Sequence, residues 1–242
     1  YFSKRGGFVI NQLSGGGCAH MGNFPTFPLP GRLDVSPGNI LEHRVDVSQE
    51  AGHAGYYEVT VEERVRAHLT VTPRTGMARY EYPAEDAFGT VIIGAGVAAT
   101  PIDRAAVVIT GPASCEGYAE GGNFCGIRTP YKVYFVAEFD TEAAETGIWK
   151  DDTLTRGGRF AEGAESGVYF TFDLKRSSTA SASRTSRWRM PAKTSVRRTP
   201  RGTSPPCSRP PSRRGTTCWA ASRARARTPT ASGSSTRTST GR

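Results

Sequence analysis

Between Ser14 and Asn23 the chain reads SGGGCAHMGN, which gathers a hydroxyl, a thiol, an imidazole and an amide around three consecutive glycines. Gly15, Gly16 and Gly17 open backbone conformations closed to other residues, so such a loop can bring main-chain amides and the groups of Ser14, Cys18, His20 and Asn23 against one ligand. The same composition also suits a long turn between two strands. A second polar glycine turn, GGNFCG, runs from Gly121 to Gly126 and carries Asn123. His20, His43, His53 and His68 stand singly, and neither CxxC nor HxxxH spacing occurs, so the pattern excludes an ordinary zinc site. Glu62-Glu63, Glu85-Asp86 and Asp151-Asp152 offer paired carboxylates, but adjacent residues on a strand face opposite sides. Each pair is therefore expected in a solvated loop or at a strand edge and not as a catalytic acid and base.

A third glycine motif points to different chemistry. VIIGAGVAATP sets Gly94-Ala95-Gly96-Val97-Ala98-Ala99 after an apolar strand, the GxGxxA form of a dinucleotide fingerprint. The fingerprint needs a helix whose N-terminus receives pyrophosphate. Pro101 cuts that helix short, and Val107, Val108 and Ile109 return the chain to β-branched residues. The motif is expected to be a strand-end turn.

The elements that must position these groups are strands. Val65, Ala67, Leu69 and Val71 alternate with Arg66, His68, Thr70 and Thr72, which is the period of a strand with one buried face. From 131 to 140, Tyr131, Val133, Phe135, Ala137 and Phe139 take one side, while Lys132, Glu138 and Asp140 take the other. Further strands are predicted over 8–10, 56–61, 77–82, 90–93, 106–110 and 167–172, and one turn of helix over 141–146. Turn residues separate them, as in Pro73-Arg74-Thr75-Gly76. Many short strands at this spacing predict an all-β fold, an antiparallel β-sandwich, over residues 1–173.

Net charge is +9 over 242 residues, yet the charge is segregated. Seventeen of the 31 Lys and Arg lie at or beyond Leu174, where there is no Asp or Glu, so residues 1–173 carry a net −8. No apolar run reaches the 18 or more residues of a membrane-spanning helix, and no signal-peptide pattern opens the chain. Cys18, Cys115 and Cys125 precede the basic segment, and Cys207 and Cys218 lie within it. Three body cysteines permit one disulfide among themselves, Cys115 with Cys125 being the closest pair in sequence.

Several stretches occur in an order that resembles the N-terminal domain of glycoside hydrolase family 92, the calcium-dependent exo-α-mannosidases, in its actinobacterial form. They are QLSGGGCAHMGNFPTFPLPG, AGYYEVTVEERVRAHLTVTPRTGMARYEYP, GVAATPIDRAAVVITG, and GGNFCGIRTPYKVYFVAEFD through VYFTFD, spanning Gly7 to Asp173. The resemblance implies a sandwich of the family's supersandwich type, followed in the parent by an (α/α)6 catalytic domain, with the active site in the cleft between them. It implies inverting hydrolysis of terminal α-linked mannose by a carboxylic acid and a carboxylate about 6.5–9.5 Å apart. It also implies calcium on the sugar hydroxyls. In the family the acid, base and calcium ligands belong to the helical domain, so this chain is expected to lack catalytic and metal residues and to be inactive alone. Ser14, Gly15, Gly17, Cys18, His20, Asn23 and Asn123 become the candidates for contacting glycan or the catalytic domain. The implied partners are mannose-containing glycans and the (α/α)6 domain, with no nucleic acid and no membrane. The implied location is secreted or cell-envelope, with no export signal in these residues.

Residues 174–242 form a low-complexity basic tail, expected to be disordered. They contain no Asp, Glu, Asn, Gln, His, Ile, Phe or Tyr, residues whose codons all carry A or T at the second base. A GC-rich gene read one base out of frame produces this bias, so the tail is read as out-of-frame translation of the parent. Two alternatives stay open: a carbohydrate-binding sandwich without catalysis, and a nucleic-acid-binding arm that uses Lys and Arg on phosphate, with Trp188 and Trp219 stacking on bases.

Overall fold

The computed structural model describes residues 4–5, 7–9, 11, 21–38, 45–176 and 183–189, with 4–5 and 183–189 described as backbone only. Tyr1–Thr199 groups as one unit and Pro200–Arg242 as another, which lies wholly outside the described residues.

Every regular element among the described residues is a strand. They are β1 (Lys4–Arg5), β2 (Thr26–Pro30), β3 (Val45–His53), β4 (Tyr56–Val61), β5 (Val65–Val71), β6 (Thr75–Glu81), β7 (Phe88–Gly94) and β8 (Ile102–Gly111). The remainder are β9 (Ser114–Phe124), β10 (Ile127–Phe139), β11 (Glu145–Lys150), β12 (Thr153–Arg156), β13 (Phe160–Glu162), β14 (Ser166–Asp173) and β15 (Ser183–Arg189). A ten-stranded sheet runs β1-β3-β4-β5-β6-β15-β10-β9-β8-β13, and a five-stranded sheet runs β12-β11-β14-β7-β2. All pairings are antiparallel.

The core lies between the sheets, filled by the alternate residues of each strand. Val133, Phe135, Ala137 and Phe139 of β10 are buried as their period of two requires. Phe139 meets Phe170 and Phe172 of the smaller sheet at centroid distances of 4.7 and 5.2 Å. Burying each such ring contributes about 2–3 kcal/mol. On β5 the alternation holds at Val65 and Ala67, but Val71, past the edge of the core, is 56% exposed.

Within the smaller sheet, β7 and β14 are buried on both faces. Segment 31–38 crosses its outer side, where the Trp149 Nε1–H donates to the Gly38 carbonyl at 3.2 Å and Thr90 Oγ1 donates to Gly31 O at 2.7 Å. Glu145 accepts from Arg32 at 2.6 Å, Arg156 at 2.5 Å and the Tyr169 hydroxyl at 2.9 Å, which clips that segment to β11, β12 and β14. A strand buried on two faces reads as a continuous apolar run, which is why VIIG and VYFTF lack clean alternation.

The structure departs from the sequence reading at three places and settles a fourth point that the sequence left open, the pairing of Cys115 with Cys125. Residues 141–144 form bends leading into β11 and not a turn of helix. Phe8 makes a bridge to Thr26 and Val9 belongs to no strand, while Ile10, the last residue of the expected strand over 8–10, lies outside the described residues. Cys115 is a free, buried thiol while Cys125 is disulfide-bonded, so the two do not pair with each other. Most notably, Ser183–Arg189 of the expected disordered tail forms β15, between β6 and β10. The rest of the tail, 177–182 and 190–242, lies outside the described residues.

Candidate functional site

Asn23 ends the glycine loop and is fully buried. Asn11, on the other side of the loop, matches it group for group: the Asn23 backbone N–H donates to Asn11 Oδ1 at 2.8 Å, and Asn11 Nδ2 donates to Asn23 Oδ1 at 3.0 Å. The Gly22 N–H adds a bond to the Asn11 carbonyl at 3.2 Å. Asn11 and the Gly22-Asn23 segment are thereby joined through three hydrogen bonds. Met21 and Phe24, at φ of 51° and 56°, turn the chain back toward β2 at the conformational cost that non-glycine residues bear in the left-handed region.

Tyr131 of β10 connects this junction to the two other glycine motifs. Asn23 Nδ2 donates to its hydroxyl at 3.0 Å, and Thr100 Oγ1 lies 3.3 Å from the same oxygen. Its ring stacks on Phe124 at 5.8 Å. Thr100 closes the GAGVAAT stretch, whose Ala99 N–H donates to Met21 O at 2.8 Å, and Phe124 belongs to the GGNFCG hairpin. Asn23, the GAGVAAT stretch and the GGNFCG hairpin thus meet around Tyr131.

The hairpin turns through Cys125 and Gly126, at φ of 50° and 80°, between the paired Phe124 and Ile127. Positive φ at both central residues is the geometry of a two-residue type I′ hairpin. Asn123, on the strand leading into it, is exposed and opposes Arg128. The GAGVAAT stretch is a strand-end turn, as its context predicts. Ala95 and Gly96 both donate to Ser166 O at 2.9 Å, and a Cβ on Gly96 would lie 1.9 Å from Gly163 O. Gly96 serves a close approach of protein backbone, with no helix behind it.

Of the sequence-predicted site residues, Ser14, Gly15, Gly17, Cys18 and His20 lie outside the described residues. Asn23 is placed as a buried anchor, its amide spent on Asn11 and Tyr131, and Asn123 as an exposed group beside the same end. Each acidic pair is found in a turn. Glu62 and Glu63 hold φ of 50° and 56° between β4 and β5, Asp86 pairs with Arg64 at 2.5 Å, and Asp151 pairs with Lys150 at 2.7 Å.

A second polar array occupies the outer face of β4–β6. The Tyr56 hydroxyl bonds Glu58 Oε2 at 2.8 Å and His68 Nδ1 at 2.6 Å, Arg66 pairs with Glu58 at 2.7 Å, and Arg79 pairs with Glu81 at 2.9 Å. The Tyr56 hydrogen bond, with Arg66 beside it, holds the Glu58 carboxyl below the usual carboxylate range, and the same bond raises the Tyr56 phenol. The array lies on an open sheet face and is balanced by its own arginines. Register would have found it, because a three-residue turn, Glu62-Glu63-Arg64, sets Glu58 opposite His68. Asn11 and Tyr131 gave no such signal, since 120 residues separate them and only the fold brings them together.

Comparison with known proteins follows the same lines. The model of the glycosyl hydrolase family 92 N-terminal domain matches residues 3–183. No curated protein matches the chain. The fold is similar to that of the family GH92 α-mannosidase BT3965 from Bacteroides thetaiotaomicron, with TM-score 0.63 and 23% identity over 76% of this chain and 26% of that one. It is also similar to the GH92 inverting mannosidase BT2199 of the same organism, with TM-score 0.57 and 23% identity over 69% and 21%. For the GH92 glycosyl hydrolase ccman5 the values are 0.65 and 21%, over 78% and 26%. The chain therefore spans about a quarter of the length of these enzymes.

Proposed function

The chain belongs to glycosyl hydrolase family 92, a family of glycosidases, and from that membership we propose that it is the N-terminal sandwich of an α-mannosidase, contributing one wall of the glycan cleft. The parent reaction is calcium-dependent, inverting release of terminal α-linked mannose. The observation that supports the reading is the junction at Tyr131 of the Asn11–Asn23 anchor, the GAGVAAT turn and the hairpin that carries the exposed Asn123, which sets a side-chain amide in solvent beside a buried, hydrogen-bonded anchor. An exposed amide suits sugar hydroxyls, which both give and take hydrogen bonds.

Among the described residues no three His, Cys, Asp or Glu are grouped to hold a metal ion. These residues do not fit calcium; in this reading the ion, the acid and the base come from the remainder of the parent. The chain alone is inactive, and its basic residues after Asp173 carry no nucleic-acid partner.

The test is paired. The purified chain with calcium is expected to release no mannose from an α-1,2-mannobioside, and release would overturn the assignment of chemistry to the missing part. Titration of the labelled chain with α-mannobiose is expected to shift the amide resonances of Asn123 and its neighbours. One feature favours a rival reading, a glycan-binding module without catalysis. Tyr118, Tyr134 and the 54% exposed Phe160 line a groove of about 400 Å³ on the outer face of β8–β10 and β13. Shifts confined to that groove would favour the rival.

A further inference from the structure

The strand registers lay out the outer face of β8, β9, β10 and β13 in two rows. Phe160, Val108, Glu116 and Val136 stand across the four strands in one, and Glu162, Ala106, Tyr118 and Tyr134 in the next. Their chain neighbours Ala161, Val107 and Phe135 point into the core, so a period of two turns both rows outward. Ala106 and Val108 are short, while Tyr118 on one side and the exposed Phe160 on the other project further, which leaves the groove of about 400 Å³ over β8. A volume of that order holds a small ligand. Tyr131, two residues before the inward Val133, takes the opposite face of β10 and bonds the buried Asn23, so the groove is separate from that junction.

Charge decides the class of ligand. Glu116 and Glu162 are exposed beside the groove, and neither carboxylate is taken up by an ion pair or side-chain hydrogen bond among the described residues, so an anion is repelled. Lys132 Nζ, paired with Glu120 at 2.6 Å, lies 3.8 Å from the centre of the Tyr118 ring and 5.3 Å from that of Tyr134, and Arg104 stands opposite Glu120 on the other side. A cationic ligand would meet two like charges at rings that already hold a cation. A neutral ring with one apolar face and hydroxyls at its edge meets neither obstacle. We propose that the groove is a second, non-catalytic sugar site that binds a pyranose, its C–H face against Tyr118 and Phe160 and its hydroxyls donating to Glu116 and Glu162. Lys132, tied to Glu120, packs on Tyr118 and fixes the ring before the sugar arrives, which lowers the ordering cost of binding. The site does not depend on the cleft reading, which supplies only the choice of mannose as the probe.

The isotope-labelled full chain is titrated with methyl α-mannopyranoside, and amide shifts and affinity are read by NMR. The expected shifts fall on Ala106, Val108, Tyr118 and Phe160. Phe160→Ala, a change at an exposed residue of an edge strand, is expected to weaken binding about tenfold while leaving the core resonances in place. Glu116→Ala removes an acceptor without touching a ring and is expected to weaken binding as well. Unchanged affinity in either variant, no shift at these amides up to tens of millimolar sugar, or larger shifts with choline at the same concentration overturns the proposal. Shifts of the same amides on raising the protein concentration alone would put a second copy of the chain on the groove and overturn it too. Shifts near Asn123 with none at the groove remove this site and leave the cleft reading standing, whereas shifts at the groove alone sustain it and count against the cleft.

Discussion

The indole of Trp149 lies on Gly167, its cross-strand partner between β11 and β14, so closely that a Cβ on the glycine would come within 2.3 Å of Trp149 Cζ2 and Cη2. Two residues along, the pairing is reversed, with the ring of Tyr169 lying on Gly147. Each glycine is the space its neighbour's ring occupies, and both rings are fully buried. Gly167→Ala is expected to destabilise the sandwich by about 2–3 kcal/mol, the cost of overpacking against both the indole and the Ile93 carbonyl. Urea denaturation checks this through a lower midpoint at unchanged slope. An unchanged midpoint would show that the ring moves aside freely.

Asn11 and Asn23 form a pair in which each satisfies the other. Removing either amide leaves buried polar groups without partners, at about 1–3 kcal/mol, but removing both leaves less to satisfy. Asn11→Ala and Asn23→Ala are therefore expected to be non-additive, the double variant losing less stability than the sum of the two. The coupling should be about 1 kcal/mol or more in a double-mutant cycle read by thermal or urea unfolding. Strict additivity would mean that the two amides act independently.

The contrast between these two sites shows what a sequence of this kind discloses. Strands β4, β5, β10 and β14 are legible because one or both of their faces are apolar at period two or continuously so. Strands β3 and β9 are not, because VDVSQEAGH and SCEGYAEGGNF carry polar or small residues on both faces and are held by ladder bonds to better-marked neighbours. β2 is hidden by Pro28 and Pro30, which suit an edge strand and signal a turn. The glycine stretches were visible as unusual, and the anchoring of the loop was not, since Tyr131 reads as one more core aromatic until its hydroxyl is seen to face Asn23.

Tyr169 gives the stability a dependence on alkaline pH. Burial, then its hydrogen bond to Glu145, pushes the phenol up to about 12 from an ordinary value of 10. A group whose folded pKa is raised contributes stability that is complete below the unfolded value and is lost as pH rises through the folded one. The sandwich is thus expected to lose stability between about pH 10 and 12, and Tyr169→Phe to lose less over that interval than the wild type. Melting temperatures measured from pH 9 to 12 for both chains decide it, and parallel curves would assign the alkaline loss to other groups.

β15 bears on the basic tail most directly. Its seven residues pair with Thr75–Glu81 on one side, and Ser186–Arg189 pair with Val136–Phe139 on the other, so the ten-stranded sheet is continuous only through this strand. Ladder bonds use the backbone and accept almost any side chain, which allows a segment of unusual composition to complete a sheet. Proline is the exception, since it removes a donor and is excluded from central strands. Ser186 stands opposite both Ala78 and Phe139, so Ser186→Pro in the full chain is expected to cost about 3 kcal/mol or more and to remove hydrogen-exchange protection from amides of β6 and the end of β10. Thr194→Pro, beyond the strand, should leave those amides protected. If Ser186→Pro exchanges like the wild type, the segment does not hold the sheet together, and the two halves on either side of it are stable as separate edges.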